Sequence, residues 1–277
     1  MKTLRFCGAS VPAIGQGTWH MGEPSSDRAA EARALRLGLD LGMTLIDTAE
    51  MYADGGSEQV VAQAIEGRRD DVFLVSKALP NNASRARLKV ACERSLARLQ
   101  TDRIDLYLLH WRGSVSLADT VAGFEALRAE GKILHWGVSN LDPDDLAELF
   151  AVAGEDSCAT DQVLYNPEHR GIEFDLLPLC ARHAMPVMAY SPVGQGGRLL
   201  RHQALLKIAE RRSATPAQVA LAWAIRHGHA LAIPKASDAA HVRANAQAGA
   251  MTLDEQDIAE IDAAFPPPTR ATPMAML

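Results

Sequence analysis

The sequence predicts an α/β fold, a single (β/α)8 TIM barrel spanning residues 1–277, and three observations predict it. Eight short apolar runs recur along the chain, each ending in polar residues. Amphipathic helical segments separate them, so strand and helix alternate throughout. No linker or low-complexity tract divides the chain, and one such barrel commonly takes about 250 residues.

In order, the runs are AIGQGTW, MTLID, VFLVSK, IDLYLLHW, ILHWGVSN, ATDQVLYN, PVMAYSP and ALAIPKAS. Before the first, TLRF and ASVPAI flank Cys7 and Gly8 and are expected to pair as an N-terminal β-hairpin closing the bottom of the barrel. Ser84 is the expected start of SRARLKVACERSLARL, whose Leu88, Cys92, Leu96 and Leu99 share one face. In LADTVAGFEALRAEG, Leu117, Val121, Phe124 and Leu127 align, and Gly131 falls where a left-handed helix stop is wanted. TPAQVALAWAIRHG reads as Thr215 at the N-cap, Pro216 as first helical residue and Gly228 as terminator. Thr252 and Glu255 read as the capping box of an extra C-terminal helix outside the repeat. A doubly wound sheet is the competing arrangement. However, no Gly-x-Gly-x-x-Gly follows the first strand, and GQGGR at 194–198 is neither that fingerprint nor a Walker loop.

With 48% apolar and 22% charged residues the composition is that of an ordinary globular protein, and no apolar run approaches the roughly 20 residues of a membrane span. The first residues lack the apolar core of a secretory signal, so the expected address is the cytoplasm. A net charge of -6 offers no basic footprint for nucleic acid and directs attention to a small-molecule partner. Cys7, Cys92, Cys158 and Cys180 are widely spaced without a C-x-x-C pair, which argues for buried free thiols and against a metal site or disulfide framework. No long apolar surface helix stands out, so a monomer is expected.

Active sites of such barrels lie at the C-terminal ends of the strands. The residues there are Gln16, Trp19 and His20, then Asp47, Lys77, His110 and Trp111, Ser139 and Asn140, Gln162, Tyr190 and Ser191, and Lys235. Singly, each has an ordinary reading. Asp47 with Glu50 resembles a helix cap, Tyr52 a packing residue, Lys77 a surface lysine and His110 a satisfied core histidine. Together they read differently, because Asp47, Lys77 and His110 end three different strands around one mouth and Tyr52 follows Asp47 closely enough to reach the same rim. A lysine held by Asp47 stays cationic and is expected to lower the pKa of Tyr52, making it a general acid. A phenol and an imidazole N–H can then stabilise the negative charge that develops on a carbonyl oxygen as hydride reaches the carbon.

IDTAEMY, LVSK and LLHW resemble the aldo-keto reductase family, and the likeness continues through GVSN, the Gln162 strand, YSP and IPKAS. The resemblance implies a (β/α)8 barrel that binds NADP(H) across the strand ends and reduces aldehydes and ketones, with Asp47, Tyr52, Lys77 and His110 as its catalytic tetrad. It also implies that Ser139, Asn140 and Gln162 hold the nicotinamide amide, that Tyr190 stacks on the ring, and that Ser191 and the loop from Gly194 clasp the pyrophosphate. At the adenosine end, Lys235, Ala236, Ser237, His241 and Asn245 occupy the family positions, but a serine is replaced by Ala236 and an arginine by His241. NADPH is therefore the expected cofactor, with NADH possible, and Arg243 is a candidate second contact to the 2′-phosphate.

Trp19 and Trp111 are expected to wall a substrate pocket. The segment after Trp111 and the tail after the last helix are both short, so the site is expected to be open. Within the family the chain is most similar to bacterial members assigned to methylglyoxal and related small 2-oxoaldehydes. Two other readings differ in kind. A metal-dependent hydrolase would need a His and carboxylate cluster that the strand ends do not supply. A non-catalytic nucleotide-binding sensor or partner subunit would keep the barrel without turnover.

Overall fold

A computed structural model describes residues 1–155 and 157–277. Each of the eight apolar runs contains a strand, because runs screened from water on both faces are most stable when their backbone groups pair with like neighbours. After the hairpin β1 (Thr3–Phe6) and β2 (Ala9–Pro12), these are β3 (Gln16–Gly17), β4 (Leu45–Asp47), β5 (Phe73–Ala78), β6 (Ile104–Leu109), β7 (Ile133–Ser139), β8 (Asp161–Leu164), β9 (Val187–Tyr190) and β10 (Ala230–Ala232). Neighbours from β3 to β10 pair in parallel in chain order. The sheet closes where Ile14 bridges Ala232 and Gly17 bridges Lys235, with Gly15 N donating to Ala232 O at 2.8 Å. This seam requires glycine, since a Cβ on Gly17 would sit 2.5 Å from the carbonyl oxygen of Ile233.

The hairpin turns at Cys7 and Gly8, both at positive φ (50° and 75°), as a two-residue turn with the twist of its strands demands. Phe6 is buried and its ring centroid lies 5.5 Å from that of Phe73, at the start of β5, which puts the hairpin at the bottom of the barrel.

Helices α1 (Arg28–Asp40), α2 (Gly56–Ile65), α3 (Arg85–Leu99), α4 (Leu117–Ala129), α5 (Pro143–Ala153) and α6 (Leu176–Arg182) link successive strands. Two helices, α7 (Gln203–Arg211) and α8 (Pro216–Ala224), lie between β9 and β10, and α9 (Ala239–Ala248) and α10 (Glu255–Ala264) follow. The face of Leu88, Cys92, Leu96 and Leu99 is buried as its spacing requires. On α4, Leu117, Phe124 and Leu127 are buried, while Val121 is only half-buried. Gly131 and Gly228 have positive φ (73° and 72°). Thr215 forms a full capping box with Gln218.

Two helix starts depart from expectation. Ser84 precedes α3 but its side chain makes no capping bond. The box at α10 is formed by Asp254 and Asp257 rather than Thr252 and Glu255. Asp257 is fully buried and accepts from Arg211 Nη2 at 2.6 Å and Arg212 Nε at 2.8 Å, so these ion pairs hold in place the carboxylate that closes the box.

Candidate active site

Strand pleating decides which side chains enter the barrel. On β5, Ser76 points outward and donates to Glu58 Oε1 of α2 at 2.7 Å, so the next residue, Lys77, points inward. Its ammonium is fully buried and donates to Asp47 Oδ2 at 2.7 Å, Thr48 O at 2.8 Å and Tyr52 Oη at 3.2 Å, which uses all three protons. Asp47 ends β4 and caps no helix, which corrects its single-residue reading. Its second oxygen accepts from Gln162 Nε2 at 2.8 Å. Glu50 instead accepts from Leu79 N and Asn82 Nδ2, both at 2.8 Å, and so ties the β4 loop to the β5 loop.

Tyr52 opens a short turn, Tyr52–Gly55, in which Ala53 and Asp54 take left-handed conformations just before α2. That turn returns the phenol over Lys77, whose Nζ lies 4.8 Å from the ring centroid. His110 follows β6 with its ring edge-on to Tyr52, centroids 5.8 Å apart, and Trp111 leans on His110 at 4.9 Å. Four side chains separated by up to 63 positions thus meet at one mouth.

Their electrostatics follow from burial. Burial pushes the Lys77 ammonium toward neutrality, but the charge of Asp47, followed by Tyr52, outweighs it and holds the group above the ordinary lysine range. For Tyr52 the balance falls the other way. Burial raises its pKa above 10.0, and Lys77 only pulls it part of the way back, so the expected lowering is not what the fold produces. The phenol is consequently protonated at neutral pH. His110 is pushed down to about 3 by burial and then by the Lys77 charge, so its imidazole is neutral and carries one N–H proton.

Around this group the rim residues form a connected polar set. Ser139 Oγ donates to Gln162 O at 2.7 Å, Asn140 Nδ2 to Ser139 Oγ at 3.1 Å and to His110 O at 3.3 Å, and Tyr190 Oη to Asn140 Oδ1 at 3.0 Å. Asn140 holds this position at φ 59°. Burial lifts the Tyr190 phenol to about 12, with the Leu277 backbone N–H opposing it. Beyond Tyr190 lies a loop of small residues in which Ser191, Gly194, Gln195 and Gly196 all have positive φ, and Asn166 Nδ2 donates to Ser191 O at 2.9 Å.

The outer group is less tightly organised. Lys235 is exposed and donates to Ser237 Oγ at 3.2 Å. Ala236 is half-buried, Asn245 buried, and His241 and Arg243 exposed on α9. Trp19 is 38% exposed and stacks on His20 at 4.2 Å, placing it at the rim while Trp111 stands against the tetrad. Among the described residues no group of three or more His, Cys, Asp or Glu side chains could hold a metal ion.

Three contributors escaped the sequence reading. The carbonyl of Thr48 carries no residue-type signal. Asn166 supports the Ser191 turn from a different strand end. Asp238 caps α9 through Ala240 N at 2.8 Å and His241 N at 3.2 Å, and an Asp opening an amphipathic run was a readable sign of it.

This donor set fits a nicotinamide dinucleotide. Gln162 gives its N–H to Asp47 and keeps Oε1 for a carboxamide donor, the Tyr190 ring is only half-buried, and the loop of small residues can bring backbone N–H groups close to a pyrophosphate.

A closed barrel with a buried Asp–Lys–Tyr contact and an adjoining neutral His places the chain in a class of carbonyl-acting oxidoreductases, and the chain belongs to the Aldo/keto reductase family, whose model matches residues 13–265. It is 52% identical to methylglyoxal reductase YeaE of Escherichia coli over 100% of this chain and 99% of that protein. It is 32% identical to glyoxal reductase of Bacillus subtilis, covering 92% and 90% of the two chains. A crystal structure of an aldo/keto reductase from Klebsiella pneumoniae, in complex with NADP and acetate, superposes with a TM-score of 0.98 at 53% identity, covering 100% of this chain and 99% of that one.

Proposed function

We propose that this protein reduces aldehydes and ketones to alcohols with NADPH, acting on small 2-oxoaldehydes such as methylglyoxal. The carrying observation is the buried Lys77 Nζ, which bonds Asp47 Oδ2 and Tyr52 Oη at once beside a neutral His110. The similarity to the E. coli and B. subtilis enzymes supports the substrate class. Similarity to the NADP-bound Klebsiella structure supports the cofactor.

When bound, the cofactor supplies a hydride. The chain's residues do the rest. Ser139, Asn140 and Gln162 orient the nicotinamide carboxamide, the Tyr190 ring supports its plane, and Ser191 with the loop from Gly194 receives the pyrophosphate. Lys235, Ser237 and Asn245 hold the adenosine end, with Ala236 and His241 giving a weaker grip on a 2′-phosphate than a hydroxyl and a guanidinium would. Tyr52 Oη delivers its proton to the carbonyl oxygen, and Lys77 stabilises the tyrosinate that remains. Asp47 keeps Lys77 charged. The His110 N–H orients the carbonyl and stabilises the charge on its oxygen, and Trp111 and Trp19 form the apolar wall. One contiguous buried core from Leu4 to Ile261 supports the reading of residues 1–277 as a single domain.

The test follows NADPH oxidation with methylglyoxal, phenylglyoxal, simple aldehydes and sugars, with Tyr52→Phe as control. The reading expects turnover with the 2-oxoaldehydes and its near-abolition in the variant. Normal activity in Tyr52→Phe overturns the acid assignment, and cofactor binding without oxidation by any carbonyl overturns the enzymatic one.

A further inference from the structure

Outside the tetrad, Thr18, Thr48 and Ser57 are each fully buried, yet none lacks a hydrogen-bond partner. Ser57 Oγ donates to Thr18 Oγ1 at 2.7 Å, with Thr18 O also within 3.1 Å. Thr18 Oγ1 donates to Asp47 O at 2.9 Å. Because the single proton of Ser57 is committed to Thr18, the 3.1 Å contact between Thr48 Oγ1 and Ser57 Oγ is donated by Thr48. The protons therefore run one way, from Thr48 through Ser57 and Thr18 to the carbonyl of Asp47. Since Asp47 and Thr48 are consecutive, the chain closes on the peptide that joins them.

The next peptide along, Thr48–Ala49, is the one Lys77 uses. Thr48 O accepts from Lys77 Nζ at 2.8 Å, and Thr48 N donates to Val75 O at 2.9 Å. The closed chain joins three elements: the end of β3 beside Trp19, the end of β4 beside Asp47, and the first turn of α2, five residues after Tyr52. Hydrogen bonds in such a chain polarise one another, and in a dry interior the loss of one member leaves its neighbours unsatisfied.

We propose that the Thr48–Ser57–Thr18 hydroxyl chain is a positioning device that holds the Thr48 carbonyl against Lys77 and the start of α2 behind Tyr52, keeping Lys77 Nζ within bonding range of Tyr52 Oη. This rests on the tetrad reading given above. Without the chain, Asp47 and Tyr52 would lie on segments free to drift by the few tenths of an ångström that separate a bond from a miss.

Thr18→Val is nearly isosteric and removes only the hydroxyl, Thr18→Ser restores it, and Ser57→Ala breaks the middle of the chain while sparing the Thr18 bond to Asp47. The assay measures kcat and KM with methylglyoxal, NADPH binding by fluorescence, thermal unfolding, and the alkaline limb of the kcat–pH profile, where the protonated phenol is lost. Thr18→Val is expected to lower kcat about tenfold, the size of one net hydrogen bond withdrawn from the transition state, with NADPH binding little changed. The alkaline limb should move to higher pH, since the tyrosinate has lost part of the help of Lys77. Thr18→Ser should recover both values. A purely structural loss would lower thermal stability and leave the limb in place. If Thr18→Val keeps the wild-type kcat and limb while Tyr52→Phe is inactive, the positioning role is overturned and the tetrad stands. Activity in Tyr52→Phe overturns the tetrad itself. Should Thr18→Val fail to fold, an unmoved limb in Ser57→Ala overturns the proposal.

Discussion

Replacing Asp47 with asparagine removes one negative charge from a pocket in which Lys77 is fully buried. At present two donors, Lys77 Nζ at 2.7 Å and Gln162 Nε2 at 2.8 Å, each face one carboxylate oxygen. Asparagine offers one oxygen and one N–H2, so a donor must face a donor or Gln162 must turn. Lys77 then keeps Thr48 O at 2.8 Å and Tyr52 Oη at 3.2 Å, both uncharged acceptors. Breaking a buried pair by removing one partner costs about 3–5 kcal/mol, which for a chain of this size lowers Tm by roughly 5–9 °C. Lys77 can relieve part of that by giving up its proton. In the wild type its raised pKa contributes stability that is present below the ordinary value of 10.5 and is lost as pH rises above it. In Asp47→Asn burial acts without its main opponent, so the pKa falls and stability should instead rise as the pH climbs toward 10.5. Catalysis loses the cation that supports the tyrosinate, and kcat should fall by about 10²-fold or more. Thermal melts from pH 6 to 10 and steady-state kinetics at saturating NADPH measure both effects. A Tm within about 2 °C of wild type, together with kcat within about threefold, would refute the reasoning.

The remaining predictions concern proton, cofactor and cap. His110, lowered to about 3, stays neutral when the unfolded chain binds a proton near 6.5, so folding stability should fall as pH drops from about 6.5 to 3. Denaturant titrations of His110→Gln should show a flatter dependence across that window, and the wild-type kcat/KM for reduction should show no inflection near 6.5. The Asp238 carboxylate caps α9 at the His241 backbone, three positions after Lys235, so Asp238→Ser should keep the cap and raise the ratio of kcat/KM for NADPH over NADH severalfold. A ratio no higher than wild type's removes Asp238 from cofactor choice. Asp254→Ala removes one side of the α10 capping box and an ion pair with Arg212 and should lower Tm measurably with kcat unchanged.

Much of this was legible because a parallel barrel writes itself in runs. β4 and β6 are buried at every position, so their residues are apolar apart from Asp105, which is paired with Arg69 at the start of β6, and the polar residue that ends each run is by position a rim residue. Asp47, Lys77 and His110 could be found for that reason. Where physical chemistry is decided by competition between neighbours, the reading went astray. The charge of Lys77 beside Tyr52 was foreseen, but its contest with burial was not, and burial prevails. Thr252 and Glu255 satisfied the capping pattern as well as Asp254 and Asp257 do, but only the fold supplies Arg211 and Arg212 to hold Asp257.

The amino-acid sequence by itself determined the eightfold alternation, the hairpin at its start, the four side chains at the mouth and the polar residues around them. These depend on periodicity and strand ends, which are local. Only the tertiary structure decided how closely Lys77 approaches Tyr52, which way the phenol's pKa moves, and that Thr18, Ser57 and Thr48 close a chain of hydroxyls on the Asp47–Thr48 peptide. Burial and hydrogen-bond geometry belong to neighbours brought together by folding, up to 39 positions apart in that chain of hydroxyls, and no local pattern encodes them.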